Sequence, residues 1–243
     1  MTAIGIIPAR YASTRFPGKV LAPIAGQPMV HHVYAAALRC RKLSAVLIAT
    51  ESPKVAAELA RLGDRVVLTA ADHASGSDRV AEAARPLEAD LVLNIQGDEP
   101  QLDPAIIDGL VEFMESHPEY PLGTVGSTEI PAGGRENPSL VKVLADGYRA
   151  LAFYRHLPAE LPAGELLRHV GLYAFRRSFL EEFTAQGPSE AEKEHSLEQL
   201  RALDMGAAIG VLSTGYIGVA IDTPADLQKL AAVWQPADPA GLS

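Results

Sequence analysis

Cysteine is nearly absent from this chain: Cys40 stands alone among 243 residues. One thiol excludes an intramolecular disulfide and a cysteine-built zinc site, and it agrees with a reducing compartment. Positive charge is scarce as well. The 21 Lys and Arg are outnumbered by 30 Asp and Glu, for a net charge of -9, which argues against nucleic acid as a bulk partner because non-specific affinity for a phosphate backbone needs a basic surface. Any anion site must therefore be local. No apolar run approaches the ~20 residues that span a bilayer, and no charged lead with an apolar core and cleavage site opens the sequence. The expectation is a soluble, cytoplasmic protein without a membrane partner. The seven histidines fall into no metal-ligand spacing. Neither a P-loop ending in Gly-Lys-Ser/Thr nor a Gly-x-Gly-x-x-Gly fingerprint is present, so ATPase and hydride-transfer chemistry lose ground.

What is present is a strong alternation. Ala3 to Ile7, Ala45 to Thr50, Val66 to Leu68 and Asp90 to Ile95 read as strands, separated by helical patterns at Met29 to Arg39, Pro53 to Leu62 and Asp78 to Ala84 and followed by another at Pro104 to Ser116. Such alternation predicts right-handed crossovers and a parallel sheet covered on both faces. The middle changes character: Leu122 to Glu129, Leu140 to Leu144, Ala150 to Arg155 and Arg168 to Phe175 are strand patterns without helices between them, which implies antiparallel pairing. Helices are expected at Ser178 to Thr184 and, as one long element, at Glu190 to Met205. Strands at Ala208 to Leu212 and Gly218 to Ile221 precede a last helix from Pro224 to Trp234, capped by Asp222 or Thr223. The fold class is thus α/β: a mixed, mostly parallel Rossmann-like sheet with helices on both faces and a small antiparallel excursion. We read residues 1–243 as one domain, with the excursion at about 120–185 and a frayed tail at 236–243.

Polar residues gather where strands end, and ligands of open α/β sheets bind there. The first strand runs into Pro8-Ala9-Arg10 and a loop that also carries Arg15 and Lys19, three cations among small residues that let an anion approach the backbone. Asp72 to Arg79 places Ser75, Gly76 and Ser77 at a helix start, suited to cradling an anion, reading a base or simply capping the helix. Asn94-Ile95-Gln96-Gly97-Asp98-Glu99-Pro100 is the densest polar cluster, and Asp98 stands where a carboxylate could hold Mg²⁺ against phosphate oxygens or cap a turn. Asp222, at the end of a later strand pattern, carries the same two readings.

Together these pieces resemble a known family. The segments at 7–19, 71–79, 94–100, Arg-His-Val-Gly-Leu-Tyr at 168–173, Leu-Glu-Gln-Leu-Arg at 197–201 and Ile-Asp-Thr-Pro-Ala-Asp-Leu at 221–227 look like 3-deoxy-manno-octulosonate cytidylyltransferase, or CMP-Kdo synthetase. The resemblance spans nearly the whole chain in order. It implies a nucleotidyltransferase fold, a homodimer formed through the middle region, and transfer of CMP from CTP to the acidic 2-keto sugar Kdo with release of pyrophosphate, for lipopolysaccharide biosynthesis. By the same resemblance Pro8, Ala9, Arg10, Arg15, Lys19, Ser75, Gly76, Ser77, Arg79 and Gln96 bind the nucleotide. Asp98 and Asp222 hold Mg²⁺ and act with Lys19 in catalysis, and Gln96, Arg155, His169, Tyr173, Glu198 and Gln199 line the sugar-acid pocket.

The residues themselves support the phosphate and metal roles best, since two anions must approach each other and cations must offset their charge. An Arg suits a substrate carboxylate, and Arg155 is the candidate. Two departures from the family pattern fall near the sugar: the segment between Arg155 and Arg168 is short, and it lacks the usual Pro-Trp-Asp-Arg continuation. A third, Ser77-Asp78 in place of Thr-Glu, is conservative. The alternatives are a cytidylyltransferase for another acid sugar, such as a sialic-acid-like nonulosonate or 8-amino-Kdo, and a nucleotide-binding protein without catalysis.

Overall fold

The computed structural model describes residues 1–13 and 16–234. Arg15 and the tail at 236–243, both of which carried expectations, lie outside the described residues. The elements come in the order β1 (Ala3–Pro8), β2 (Pro23–Ile24), β3 (Gln27–Pro28), α1 (Met29–Ala37), β4 (Leu43–Thr50), α2 (Pro53–Glu58), β5 (Val66–Leu68), α3 (Gly76–Ala84), β6 (Leu91–Asn94), α4 (Pro104–Ser116), β7 (Leu122–Ser127), β8 (Lys142–Asp146), β9 (Arg149–Tyr154), β10 (Glu165–Arg176), α5 (Arg177–Gln186), α6 (Glu190–His195), α7 (Gln199–Asp204), β11 (Ile209–Thr214) and α8 (Pro224–Val233).

Nine strands form one mixed sheet in the order β5-β4-β1-β6-β10-β7-β11-β9-β8, and β2 pairs with β3 in a small hairpin. The first four are parallel neighbours, as the alternating pattern predicts. Side-chain alternation sorts them between two cores. Ile4 and Ile6 of β1 pack with Val92 of β6 and with Val80 of α3 and Phe179 of α5 on one face. Ile7, Leu91 and Leu93 pack with Val33 of α1 and Leu110 of α4 on the other. Both faces are buried, which is why these strands read as unbroken apolar runs.

The antiparallel part is larger than a small excursion. β10 is 12 residues long and pairs antiparallel with β8 at its start, β7 along Arg168–Phe175 and β6 at its end. Because β8 also pairs with β9 and β9 with β11, which lies beside β7, the strands β10-β7-β11-β9-β8 close into a ring. A register shift between Val170 and Tyr173 lets one strand serve both the ring and the open sheet.

Two expectations are corrected. The single helix at 190–205 is two helices, because Ser196 takes a left-handed conformation at φ 52 and ends α6. Its turn sends Leu197 into the core and leaves carbonyls at the helix end open to other donors. The strand at 218–221 does not form; that segment is held by side chains and not by a ladder. Helix α8 is capped by Thr223, whose hydroxyl accepts from the Asp226 N–H while the Asp226 carboxylate accepts from Thr223 in return. Asp222 is thereby released from capping.

Candidate active site

The loop after β6 opens onto a cleft of about 910 Å³ between the sheet, the ring and the turn at Ser196. Gly97 makes the crossing of the β1 and β6 ends possible: a Cβ there would lie 3.1 Å from the Pro8 carbonyl oxygen. Immediately after it, the Asp98 carbonyl accepts a hydrogen bond from Ile221 N–H at 2.9 Å, which ties the loop after β6 to the segment before α8. That backbone bond sets Asp222 beside Asp98. Lys19, in a short 3₁₀ turn begun by Gly18 at φ 71, reaches both: its Nζ is 2.5 Å from Asp98 Oδ2, 3.3 Å from Asp222 Oδ1 and 3.4 Å from the Ile221 carbonyl. Three residues far apart in sequence, which the family resemblance pairs in catalysis, meet at one point.

These groups suit Mg²⁺. Asp98 and Asp222 present hard oxygen donors, and the Lys19 ammonium shows that the space between them accepts a compact cation. Among the described residues no group of three or more His, Cys, Asp or Glu forms a ready-made cage. Mg²⁺ commonly uses one or two carboxylates and completes its shell with water and phosphate.

Along the cleft wall lie Gln96, His169, Tyr173, Glu198 and Gln199. Tyr173 donates to Gln199 Oε1 at 2.9 Å, while Gln199 Nε2 is buried without a hydrogen-bond partner. A buried amide with idle donors is costly, and an oxygen-rich ligand would satisfy it. His169 stacks at a tilt on Tyr173, and burial lowers its pKa to about 3, so the ring is neutral. The Thr124 hydroxyl donates to the Leu172 carbonyl at 2.8 Å and lies 2.9 Å from His169 Nε2. With its proton so used, Thr124 accepts from Nε2–H, which leaves Nδ1 as an acceptor.

Glu198, at the start of α7, accepts from Ser77 N–H at 3.3 Å, from the Ser77 hydroxyl at 3.1 Å and from Asn94 at 3.4 Å. Burial raises its pKa, with the Ser77 and Ser75 hydrogen bonds opposing. The residue thus joins the start of α3 to the cleft. Ser75 caps α3 in a reciprocal arrangement with Asp78, and Asp78 in turn receives Arg201 at 3.0 Å. Arg201 is fully buried and also makes a two-pronged pair with Glu192, at 2.7 and 2.9 Å. It locks α3, α6 and α7 together.

Arg10 is exposed at the end of β1, next to buried Ala9 and half-buried Pro8. Two predicted site residues are placed otherwise. Arg79 is wholly buried; it bonds to the Thr69 hydroxyl and the Ala70 carbonyl and lies 3.3 Å from Glu51. Burial lowers its pKa, Glu51 opposing and Arg10 adding. It supports the loop at 69–70 from beneath. Arg155 is not part of the cleft wall. Its Nε, Nη1 and Nη2 donate to the carbonyls of His195, Pro138 and Ser196 at 2.8, 3.2 and 3.0 Å.

The sequence reading missed Arg168, Glu99 and Tyr216. Arg168, on the cleft wall, donates to the carbonyls of Gly218 and Tyr216 at 2.7 and 2.9 Å, and the Tyr216 hydroxyl reaches Glu99 at 3.4 Å. Burial, then the neighbouring Asp98, raise the Glu99 pKa to about 7, against Arg168 and Tyr216. These contacts replace the expected strand at 218–221 as the support for Asp222. Adjacency to Asp98 and to His169 was the available signal, but only the fold shows what the three hold.

A family profile described as cytidylyltransferase matches residues 4–209. The chain is 42% identical over 245 residues to 3-deoxy-manno-octulosonate cytidylyltransferase of Geobacter sulfurreducens, covering 95% of this chain and 98% of that one. It is 43% identical over 244 residues to the protein of that name from Syntrophobacter fumaroxidans, covering 96% and 97%. A solved structure of CMP:2-keto-3-deoxy-manno-octonic acid synthetase complexed with CTP superposes with a TM-score of 0.87 at 38% identity, over 96% of this chain and 98% of that one. A cytidylyltransferase from Leptospira borgpetersenii, 17% identical with a TM-score of 0.66 over 96% and 86%, shares the fold. The chain belongs to the 3-deoxy-manno-octulosonate cytidylyltransferase family.

Proposed function

We propose that this protein transfers CMP from CTP to the anomeric hydroxyl of 3-deoxy-D-manno-octulosonate, forming CMP-Kdo and releasing pyrophosphate. The observation that carries this reading is the meeting of Lys19, Asp98 and Asp222 at one end of a cleft whose wall is lined by Gln96, His169, Tyr173, Glu198 and Gln199. It combines with full-length similarity to relatives of that name.

In this reading Pro8, Ala9, Arg10 and Lys19 bind the triphosphate, the family resemblance adds Arg15 to them, and Ser75, Gly76 and Ser77 at the start of α3 seat the nucleotide. Asp98 and Asp222 hold Mg²⁺, which when bound supplies positive charge to the reacting phosphates. Gln96, His169 Nδ1, the Tyr173–Gln199 pair and Glu198 orient the sugar acid. The anomeric oxygen forms its bond to the α-phosphorus while the bond to the bridging oxygen of the β-phosphate breaks; the hydroxyl proton passes to solvent water and pyrophosphate departs. Lys19 and Arg10 stand where charge accumulates on the leaving group. The work of the protein is orientation and charge compensation. A homodimer formed through the excursion at 120–185 is part of the proposal, supported by the family resemblance and by exposed Tyr148 and Leu151 on the β8–β9 hairpin. A CTP-consuming reaction accords with a cytoplasmic setting, and among the described residues no helix is long and apolar enough to cross a membrane.

The test is pyrophosphate release with each of the four nucleoside triphosphates against a panel of 2-keto sugar acids. CTP with Kdo should dominate. Release with a nonulosonate or 8-amino-Kdo instead would move the sugar assignment, and no CTP-dependent release with any acid would overturn the reading.

A further inference from the structure

Lys142 is completely buried, although it carries a charge. Among the described residues no carboxylate lies within ion-pair distance of it, and its Nζ donates instead to the carbonyls of Arg155 at 2.6 Å and Asn137 at 3.1 Å. Burying an ammonium costs several kcal/mol unless its donors are met, and an alkyl side chain would fill the same space without that cost. The contacts therefore need a reason. Arg155 supplies it. While its own carbonyl takes Lys142, its guanidinium takes the carbonyls of Pro138, His195 and Ser196.

Two cations thus gather five backbone carbonyls from three segments. Two of those segments run directly into the cleft. Asn137, Ser139, Leu140 and Val141 form one wall of it, and Ser196, Leu197, Glu198 and Gln199 form another. We propose that Lys142, acting together with Arg155 through the carbonyls they gather, is a positioning residue that fixes the spacing of these two walls and so sets the sugar-acid pocket. The left-handed Ser196 that ends α6 makes this possible, because the interrupted helix leaves the His195 and Ser196 carbonyls for Arg155. Both cations donate to backbone carbonyls and neither to Asp98 or Asp222, so the tie reaches the nucleotide side only indirectly, through Glu198 and Ser77. The assignment of the cleft to a sugar acid rests on the function proposed above.

Lys142→Met and Arg155→Gln test the idea in the full chain. Each should raise the KM for Kdo about tenfold and that for CTP by clearly less, and the two should combine without further loss, because each releases the same tie. A Kdo KM unchanged in folded Lys142→Met overturns the proposal, and so does an equal rise for both substrates, which marks general destabilisation. Hydrogen exchange on the substrate-free chain reads the tie directly and needs no turnover. Exchange should quicken at both 137–141 and 195–199 in either variant, whereas a residue that only binds the substrate carboxylate would leave the free protein unchanged. If Lys142→Met does not fold, Arg155→Gln carries the exchange test alone, and unchanged exchange at either segment overturns the proposal. Wild-type pyrophosphate release separately decides the functional reading.

Discussion

The ammonium of Lys19 is anchored 2.5 Å from the Asp98 carboxylate, across 79 residues of sequence. A cation, and not a polar side chain, thus sits where two carboxylates converge, since Asp222 is 3.3 Å from the same nitrogen. The arrangement separates folding from metal loading. Asp98→Asn should preserve the melting temperature within a few degrees and reduce kcat on the order of 10³-fold, because the amide keeps an oxygen for Lys19 but removes the anionic ligand that the loaded site needs. Melting followed by single-turnover kinetics checks this; a variant that turns over normally with metal would remove Asp98 from the chemistry.

Metal removal should obey the same logic. With Lys19 offsetting one of the two carboxylate charges, chelation should stop turnover and cost the fold little stability. Lys19→Met removes the cation that both carboxylates share, so the repulsion between Asp98 and Asp222 grows when metal is withdrawn. The variant should lose more melting temperature on chelation than the wild type. Its KM for CTP should rise while that for the sugar acid changes little. Scanning calorimetry with and without chelator gives the comparison, and equal shifts in both proteins would show that Lys19 is not the counterion.

The parallel half of the fold was legible because strands buried on both faces must be apolar and their crossovers helical. The site clusters were legible because strand ends in such a sheet are where ligands bind. The ring was less so: β10 serves three partners, and nothing in a strand pattern states how many neighbours it will have. The break at Ser196 was hidden because Glu190 to Met205 is helix-forming throughout, and the turn is dictated by tertiary contacts of Leu197, Glu198 and Arg201. Arg155 was the carboxylate candidate because of its chemistry and the family match, and its carbonyl contacts were not legible. Its carbonyl partners come from segments whose approach only the fold reveals.

Arg168 should prove more important than its place in the sequence suggests. Its two bonds to the Gly218 and Tyr216 carbonyls hold the segment that delivers Asp222. Hydrogen bonds to a charged group contribute about 1.5–3 kcal/mol each. Arg168→Leu should therefore free the segment and lower kcat by roughly 10- to 100-fold, with apparent metal affinity falling as well. Mn²⁺ titration followed by electron paramagnetic resonance would check the second effect without turnover. Tyr216→Phe removes one long contact to Glu99 and should do far less.

His169 offers a test by acid. Burial depresses its pKa from 6.5 to about 3, so the unfolded chain binds a proton that the folded chain refuses. Stability from this residue is present above the unfolded value and is lost as pH falls from about 6.5 toward 3, with a slope of at most ~1.4 kcal/mol per pH unit. His169→Gln should flatten that part of the stability profile in denaturant titrations at pH 4.5, 5.5 and 6.5. An unchanged slope would mean that the imidazole is charged in the folded protein. The same variant should raise the KM for Kdo, as it replaces the Nδ1 acceptor.

Glu198 carries the last prediction because it touches both halves of the cleft. Its carboxylate takes the Ser77 N–H and hydroxyl at the start of α3, while its backbone opens α7 beside Gln199. Glu198→Ala leaves those donors unmet in a buried place, a cost of about 1–3 kcal/mol, and frees the nucleotide loop from the sugar wall. Both KM values should rise, roughly tenfold each, unlike the selective changes expected from Lys19 and from the Lys142–Arg155 tie. Glu198→Gln retains an acceptor for Ser77 and should recover most of the loss. Burial raises the Glu198 pKa, so the neutral amide is also the smaller disturbance at lower pH, and the gap between Gln and wild type should narrow as pH falls. Steady-state kinetics of both variants across pH decide the matter: a loss confined to one substrate would place Glu198 on one side of the cleft alone.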